Sequence, residues 1–511
     1  MIAHVVPVIR LRRATTWWSY RVPPRAHVSP GSLVVIPLRG RSVPGIVWAV
    51  DDDQNSDATD RIEQILVSSP LIRTPARNFL EWLAESSSTS LSTACYLNLP
   101  SLLRSWPYRK PTLEALKQWR ALEKPVHQQL FLLPFEREDV ISALQKASPE
   151  SISWFAGATE TEELSQWLQI SAGSVHTVIG RERGVFTNFA NLTSCVIQDP
   201  EDVSYYHEQT PYLPMTEAAL HLATCWGAEK TVRSAFPEPI QSLLWPDAIA
   251  LAPDLVAKQV VIKEIRQKEI INDELVSAVR TTLAAKKEVV ILYNAKDRLQ
   301  KTDSEPFPLL IPGIETLRTK LALRLEAPTL PTGVHFDTRA VFKRRYTNVG
   351  LTVALNIDPV LYQQNFADEF HGWADLYKLL SYPAPLIVQT GQPENPALLA
   401  LREHRLTSHL LERIQERKDL ELPPFCTTIS CSIGTNQATE TEVATLSDLL
   451  REKSGGKWRV SAPAERRRRA ATVWVITLHA SAGTLLPQPL RQKLASLTRP
   501  WKVERNPWYA L

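Results

Sequence analysis

The sequence predicts a multidomain α/β protein that opens with a small β-barrel and closes with an α+β domain. Three observations predict this fold class. The 511 residues are enough for three to four domains. The first 66 residues alternate short β-type runs with turn signals. From about residue 126 to residue 400, apolar strand-like runs alternate with helical patterns, which is typical of a mainly parallel sheet covered by helices.

Five short strands separated by proline, glycine and polar segments predict the N-terminal barrel. The expected strands are Ala3–Ile9, Trp17–Val22, Ser32–Pro37, Gly45–Val50 and Ile62–Val67. A helix is expected over Arg77–Glu85, where apolar residues follow at helical spacing. Residues 107–125 are polar and flanked by proline, so they are expected to form a linker.

The last ninety residues follow a different order of elements. Strands are expected over Thr427–Ile433, Gly456–Ser461, Thr472–Ala480 and Trp501–Glu504, and helices over Thr439–Lys453 and Leu486–Leu497. The order βαββαβ is that of ferredoxin-like domains. In the middle of the chain, the helix Asp273–Ala285 leading into the strand Val289–Tyr293 is the clearest α-to-β unit.

Composition excludes several classes of protein. The net charge is +4, which permits nucleic-acid binding without requiring it. The five cysteines, at positions 95, 195, 225, 426 and 431, are widely spaced and include no CxxC pair, so neither a disulfide framework nor a zinc pair is expected. No apolar run approaches the ~20 residues of a membrane-spanning helix, and residues 1–13 do not fit a secretory signal. A cytoplasmic location is expected.

Aromatic and basic residues lie side by side in the predicted barrel. A single-stranded nucleic acid is held by base stacking on aromatic rings and by cations at its phosphates. The barrel offers both groups, in Trp17, Trp18, Tyr20, Trp48, Arg21, Arg39 and Arg61. The alternative is that these aromatic residues form the core of the barrel, and alternate residues of each strand must indeed face inward.

Four blocks of sequence resemble the primosomal replication-restart helicases, the PriA family. The first block is Trp18-Ser19-Tyr20 with Gly45-Ile46-Val47, which is similar to the family's 3′-DNA-binding domain. The second, Val178-Ile179-Gly180-Arg181 followed by 195–201, resembles the end of the first helicase lobe. Segment 338–349 resembles a motif of the second lobe. Leu422-Pro423-Pro424-Phe425 resembles the C-terminal domain.

The resemblance implies a division of the chain and a set of DNA-binding residues. The implied domains are a 3′-DNA-binding domain (1–106), a linker (107–125), two degenerate RecA-like helicase lobes (126–250 and 251–405) and a C-terminal DNA- or partner-binding domain (406–511). In the barrel, Trp18 and Ser19 match the positions at the family's 3′-end pocket. Trp17, Tyr20, Arg39, Gly40 and Arg61 are further DNA-binding candidates of the same domain, and Arg61 replaces the family's lysine only loosely. Ser19 replaces the family's aspartate, and Arg39 precedes Gly40.

A basic run in the C-terminal domain adds a second DNA-binding candidate. Arg466, Arg467, Arg468 and Arg469 are consecutive and precede an expected strand, where the family carries a basic loop. Four adjacent arginines on a turn would neutralise about two or three phosphates. The expected partners are DNA with single-stranded ends or forks and, by resemblance, primosome and single-strand-binding proteins.

The motifs of an ATP-driven motor are missing from the sequence. Such a motor needs a glycine-rich loop with a lysine, Ser or Thr for Mg²⁺, and an acidic pair. After the first strand of the first lobe stands Pro134-Phe135-Glu136-Arg137, and the acidic box is Gln198-Asp199-Pro200-Glu201. The family's zinc cysteines are also absent, since Ala295-Lys296-Asp297 contains none. We therefore expect no catalytic residues, no ATP, Mg²⁺ or zinc site, and no ATPase activity.

Three functions remain open from the sequence. The first is a DNA-binding restart factor on a degenerate helicase scaffold, without ATPase or helicase activity. The second is an ATP-dependent 3′→5′ helicase with altered motifs. The third is a protein-interaction scaffold that does not bind DNA.

Overall fold

The computed structural model of the chain describes residues 1–11, 17–51, 60–119, 126–154, 158–207, 209–252, 259–265, 269–293, 298–300, 309–358, 366–468, 471–497 and 499–506. These residues form two compact units. The first unit comprises Met1–Glu136, Val140–Thr231 and Glu421–Ala510, and the second comprises Arg137–Asp139 and Val232–Leu420. The predicted multidomain α/β class is confirmed, because each unit combines helices with sheets. No helix in the described part of the chain is long and apolar enough to cross a membrane.

An antiparallel sheet of five strands forms the N-terminal part of the first unit. Its strands are β1 (Ile2–Pro7), β2 (Trp18–Arg21), β3 (Leu33–Leu38), β4 (Arg41–Asp51) and β5 (Gln64–Val67). They lie in the order β2-β1-β4-β3-β5. Hydrogen bonds from Arg21 N to Asp60 O (2.9 Å) and from Ile62 N to Arg21 O (3.1 Å) join β2 to the segment that precedes β5. All five predicted strands are therefore present.

One hairpin is tighter than the sequence predicted. Arg39 (φ 51°) and Gly40 (φ 74°) alone connect β3 to β4, and both adopt left-handed backbone. A two-residue turn of this type matches the twist of the strands it joins. Strand β4 therefore begins at Arg41, four residues before the expected Gly45, and pairs with β3 from Leu38 onward.

Three helices follow the N-terminal sheet. They are α1 (Thr74–Ser86), α2 (Leu91–Asn98) and α3 (Lys110–Gln118), with a 3₁₀ turn at Ser101–Leu103. Helix α1 contains the expected helix 77–85. Helix α3 lies in the segment 107–125 that we expected to be a linker. Its Leu116 is buried, and the neighbouring Trp119 donates a hydrogen bond from Nε1 to Ser171 Oγ (2.9 Å), so packing orders this segment.

The chain continues with an α/β segment, most of which belongs to the first unit. Its strands are β6 (Gln128–Leu132), β7 (Ser151–Trp154), β8 (Thr177–Gly180), β9 (Leu192–Gln198) and β10 (Glu229–Arg233). Its helices are α4 (Glu138–Ala147), α5 (Glu160–Ala172), α6 (Glu182–Val185) and α7 (Met215–Trp226), with a 3₁₀ turn at Val203–Tyr205. Strand β6 pairs in parallel with β8 and β9, and β7 pairs in parallel with β8, as the alternating pattern predicted.

The second unit is built on a parallel sheet of five strands. Its strands lie in the order β12-β18-β17-β13-β16, and every pairing is parallel. The unit's strands are β11 (Ile249–Leu251), β12 (Val260–Glu264), β13 (Glu288–Leu292), β14 (Arg298–Gln300), β15 (Leu309–Ile311), β16 (Val334–Asp337), β17 (Val349–Ala354) and β18 (Leu386–Thr390). Its helices are α8 (Glu238–Leu244), α9 (Asp273–Ala284), α10 (Ile314–Arg324), α11 (Phe366–Leu380), α12 (Pro396–Arg402) and α13 (Leu406–Asp419), with a 3₁₀ turn at Arg339–Lys343.

Helix α9 and strand β13 form the α-to-β unit that the sequence predicted most clearly. Residues Val279, Val289 and Ile291 of these two elements are fully buried in one apolar core. The second unit also contains residues 232–250, which we expected in the first lobe, and residues 406–420, which we expected to open the C-terminal domain.

An antiparallel sheet completes the first unit. Its elements are β19 (Cys426–Gly434), α14 (Glu440–Lys453), β20 (Arg459–Val460), β21 (Ala464–Arg468), β22 (Ala471–Ser481), α15 (Gln488–Ser496) and β23 (Lys502–Arg505). The strands lie in the order β20-β22-β19-β23, and β21 also pairs with β22. Strand β21 is an addition to the expected order, and it contains the start of the arginine run.

Candidate functional site

A hydrogen-bonded chain of side chains crosses one face of the N-terminal sheet. Ser19 on β2 lies opposite His4 on β1 in the strand register, and Asp51 ends the neighbouring β4. Ser19 Oγ lies 2.9 Å from His4 Nδ1, and His4 Nε2 lies 2.8 Å from Asp51 Oδ2. We call Trp17, Ser19, His4 and Asp51 the outer-face cluster. Its polar groups are fixed in position by their neighbours.

Trp17 is the exposed aromatic residue of this cluster. Its side chain is 42% exposed, and its ring centroid lies 5.9 Å from that of His4, with the ring planes at 48°. Trp17 therefore leaves part of a large π surface open beside two hydrogen-bonding side chains. Such a surface can accept a stacked base of any sequence.

The other predicted aromatic residues of the sheet face inward. Tyr20 lies in the apolar core, and Trp18 packs against that core while remaining half-buried. The Tyr20 hydroxyl donates a hydrogen bond to the Pro37 carbonyl (2.9 Å). Burial, together with the nearby charges of Asp60 and Glu63, raises the pKa of Tyr20 to about 12. Tyr20 therefore has a structural role, because it packs in the core of the sheet that carries the site.

Trp48 also packs inside the domain. It is 5% exposed, and its Nε1 donates a 2.6 Å hydrogen bond to Glu81 on α1. The Arg77 guanidinium lies 5.7 Å from the ring centroid and donates a hydrogen bond to the Trp48 carbonyl (2.7 Å). Trp48 therefore packs and hydrogen-bonds helix α1 against the sheet. Its ring is buried and is not available for stacking on a ligand.

The predicted cations border the sheet at exposed positions. Arg39 and Gly40 form the exposed β3–β4 turn, and Arg61 is exposed next to Arg21. Because β3 and β5 are antiparallel, with Val35 opposite Gln64, the chain that precedes Gln64 runs towards this turn. The structure thus directs Arg61 and the 39–40 turn to the same end of the sheet, where Tyr20 reaches the Pro37 carbonyl.

The arginine run of the C-terminal part lies in a different sheet from the outer-face cluster. The backbone of Arg466, Arg467 and Arg468 belongs to strand β21, where Arg466 lies opposite Val473 of β22. Arg466 is exposed, and Arg469 lies outside the described residues. The run therefore begins in a strand and not on a turn, because β21 forms a hairpin with β22.

The segment Gln198–Glu201, which the sequence analysis compared with the family's acidic box, begins at the end of strand β9. Asp199 adopts left-handed backbone (φ 49°), Pro200 O accepts a hydrogen bond from Thr216 Oγ1 (3.0 Å), and Glu201 is buried. Tyr205 donates a hydrogen bond to the carbonyl of Gln198 (2.9 Å). Burial raises the pKa of Tyr205, and the charges of Asp199, Asp202 and Glu201 raise it further.

The segment after β6 is tied to this acidic loop. The Ser204 hydroxyl donates a 2.8 Å hydrogen bond to the carbonyl of Pro134. In the described part of the chain, no group of three or more His, Cys, Asp or Glu residues is arranged to hold a metal ion. The segment 295–297, where the family's zinc cysteines would stand, lies outside the described residues.

A polar cavity of about 640 Å³ in the first unit was not predicted from the sequence. Its lining includes Arg104, Arg181, Glu163, Tyr206 and His207. The charges of this lining are largely paired within it, since Arg181 bonds to Glu182 and Arg183 lies 4.0 Å from Glu163. The Val178–Arg181 motif, whose Arg181 lines the cavity, was the signal in the sequence that could have indicated this region.

His4 and Asp51 were also missed by the sequence prediction. They lie 47 residues apart, and the β1–β4 register alone brings them together.

Comparison with known proteins identifies the class of the N-terminal domain. Residues 6–100, which run from the end of β1 through helices α1 and α2, match the family model of the PriA 3′DNA-binding domain (3′BD). A curated relative is the Replication restart protein PriA of Rickettsia conorii (strain ATCC VR-613 / Malish 7). It is 21% identical over 336 residues, which cover 54% of this chain and 51% of the relative. The predicted resemblance to PriA is confirmed, and the chain spans about half the length of this relative.

Proposed function

We propose that this chain is a DNA-binding replication-restart factor that holds single-stranded ends or forks on its N-terminal domain. The match of residues 6–100 to a 3′DNA-binding domain carries the proposal. The exposed ring of Trp17 and the exposed cations Arg39 and Arg61 support it, because they supply stacking and phosphate contacts on one folded domain.

The proposed architecture is a scaffold of four folded parts. The hydrogen bonds between Arg21 and residues 60–62 favour closure of the N-terminal sheet into a small barrel. The parallel sheets of the two α/β segments favour RecA-like lobes that have lost their motifs. The order β20-β22-β19-β23 is that of a ferredoxin-like domain. The boundaries proposed from the sequence are 1–106, 107–125, 126–250, 251–405 and 406–511.

We propose further that the protein acts without hydrolysing ATP and without zinc. Its sequence lacks the glycine-rich loop, and its acidic box has an amide, Gln198, at the first position. The magnesium site contributes several powers of ten to the rate of such reactions. The bond from Ser204 to Pro134 and the buried Tyr205 support the proposal, because they occupy the region between the two degenerate motifs.

Binding of a fluorescent fork with a single-stranded 3′ end tests the DNA proposal. The full chain is titrated into this fork and into a matched fork whose 3′ terminus carries a phosphate. We expect saturable binding to both forks, with tighter binding to the free end. Absence of binding to either fork at low salt would favour the third function, a scaffold that does not bind DNA. Co-precipitation with single-strand-binding protein tests the proposed protein partners separately.

A second assay separates the restart factor from the helicase with altered motifs. We expect no thermal shift with Mg-ATP and no DNA-stimulated phosphate release, because neither the phosphate loop nor the magnesium ligand is present. Turnover near one per second would overturn this part of the proposal and leave the DNA-binding part standing.

A further inference from the structure

The hydrogen bonds of the outer-face cluster have a fixed polarity, and this polarity decides what kind of ligand group Ser19 can bind. Ser19 Oγ lies 2.9 Å from His4 Nδ1, and His4 Nε2 lies 2.8 Å from Asp51 Oδ2. Building on the proposed DNA-binding function, we propose that His4 and Asp51 are positioning residues that make the Ser19 oxygen a hydrogen-bond acceptor. The N-terminal site thereby selects a strand end that donates a hydrogen bond.

Asp51 fixes the position of the ring proton of His4. An ionised carboxylate only accepts hydrogen bonds, so the His4 nitrogen that bonds to it, Nε2, carries the proton. In the neutral imidazole the other nitrogen, Nδ1, is then an acceptor. The Ser19 hydroxyl therefore donates its only hydrogen to Nδ1, and its oxygen keeps lone pairs that can accept a hydrogen bond from a ligand.

The strand register holds these side chains on one face of the sheet. His4 on β1 lies opposite Ser19 on β2 and opposite Ala49 on β4. Asp51 follows Ala49 by two residues, and alternate residues of a strand face the same side, so its carboxylate lies on the face of His4. The His4 side chain is 20% exposed and that of Asp51 is 60% exposed, so the ring is packed between its partners and is still reached by protons from the solvent.

Ser19 lies next to the stacking surface of the cluster. The ring centroid of Trp17 is 5.9 Å from that of His4, which places Trp17 on the same face as Ser19. Ser19 is half-buried on β2, an outermost strand in the order β2-β1-β4-β3-β5. A base that stacks on Trp17 would therefore bring its sugar close to Ser19 Oγ.

A free 3′-hydroxyl is the end group that fits this acceptor. A hydroxyl carries an O–H donor, whereas an ionised phosphate carries only acceptors. A terminal phosphate would point its lone pairs at those of Ser19 Oγ. The polarity of the cluster therefore adds a preference for hydroxyl ends to the sequence-independent stacking on Trp17.

Two forks that differ only in the 3′-terminal group test the proposal. One ends in a 3′-hydroxyl and the other in a 3′-fluorine, which is similar in size and has no proton to donate. Fluorescence anisotropy with the full chain gives both Kd values. The unmodified protein should bind the hydroxyl end about fivefold more tightly, which is the usual effect of one net hydrogen bond. Ser19→Ala removes the acceptor and should bring the two Kd values within about twofold of each other.

Variants of Asp51 test the polarity itself. Asp51→Asn replaces a pure acceptor by an amide that also donates, so both ring tautomers of His4 become available and the hydroxyl preference should fall to about twofold. Asp51→Glu keeps the acceptor and should keep the preference. Glu63→Gln is the matched control, because it removes one negative charge from an exposed position of the same domain outside the cluster, and it should also keep the preference.

Protonation of His4 should weaken the preference too, which a purely structural role of the ring would not do. An imidazolium donates from both nitrogens, so Ser19 would accept from Nδ1 and turn its own hydrogen towards the ligand. Histidine side chains change charge between about pH 5 and pH 8, so the hydroxyl preference of the unmodified protein should decline over this range as the pH falls. His4→Phe keeps a ring beside Trp17 and should show a weak preference that does not change with pH.

The other charged groups that face His4 ordinarily titrate outside this range. Asp51 comes from β4, and Arg21 lies two residues from Ser19 on the same face of β2. Helix α2, which packs against β1, contains no charged residue. His4→Phe retains all of these groups, so a difference in pH dependence between the two proteins belongs to the imidazole.

Each comparison is a ratio of two Kd values measured on one protein, so a reduced folded fraction of a variant cancels. A full hydroxyl preference that survives in Ser19→Ala or in Asp51→Asn, or that is the same at both ends of the pH range, would overturn this proposal and leave fork binding intact. Failure of the unmodified protein to bind either fork would instead overturn the proposed function of the domain, and the role of His4 and Asp51 with it.

Discussion

Substitution by alanine should have opposite effects at two tryptophans of the N-terminal domain, lowering DNA affinity at one and thermal stability at the other. Trp17 is 42% exposed on the outer face, whereas Trp48 is 5% exposed between the sheet and α1. Stacking of one base on an aromatic side chain is worth about 1–3 kcal/mol. Trp17→Ala should therefore raise the Kd for a fork with a single-stranded 3′ end about 5- to 150-fold. Its thermal stability should change little, because exposed substitutions are usually within about 0.5 kcal/mol of neutral.

Trp48→Ala is the matched control. It removes a buried ring and the hydrogen bond to Glu81, and large-to-small changes of this kind cost about 3–5 kcal/mol. The melting temperature should fall, while the Kd measured well below the melting temperature should change by less than a few fold. Fluorescence anisotropy gives the affinities, and circular dichroism gives the melting curves. A Kd of Trp17→Ala within twofold of the unmodified protein would refute the assignment of Trp17 as a stacking surface.

Three further predictions concern the same domains. Tyr20 has a folded-state pKa of about 12, raised above its value of ~10 in the unfolded chain. Its contribution to stability is therefore complete below pH 10 and is lost as the pH rises towards 12, and Tyr20→Phe should remove this part of the alkaline decline in melting temperature. Gly40→Ala should cost about 1–2 kcal/mol in thermal unfolding from its left-handed backbone alone, because a Cβ there would meet no atom within 4 Å, and Gly40→Asn should cost less. Changing Arg466, Arg467, Arg468 and Arg469 to glutamine should lower the slope of log K against log salt for fork binding by about two to three units, and an unchanged slope would remove these residues from the DNA interface.

Local signals in the sequence were sufficient for the elements of the fold. The β-type runs of the first 66 residues predicted β1 to β5, and the pattern of Asp273–Tyr293 predicted α9 and β13. Both predictions were possible because alternation and helical spacing of apolar residues depend only on residues that are close in the sequence. The start of β4 was predicted four residues too late, at Gly45 in place of Arg41. The reason is that the turn between β3 and β4 consists of only two residues, Arg39 and Gly40. Helix α3 was not predicted, because its sequence is mostly polar and gives no local sign that Leu116 is buried.

The arrangement of the candidate site depended on contacts between distant strands. The sequence placed Trp17, Trp18 and Tyr20 together, and only the pairing of β1 with β2 shows which of them face the core. The chain from Ser19 through His4 to Asp51 could not be read from the sequence, because it spans three strands and depends on their register.

The most direct test of the central claim is the affinity of the full chain for a fork with a single-stranded 3′ end, measured first without nucleotide and then with Mg-ATP. The account predicts saturable, salt-dependent binding that is the same in both conditions. Binding that appears only with Mg-ATP, or no binding in either condition, would contradict it.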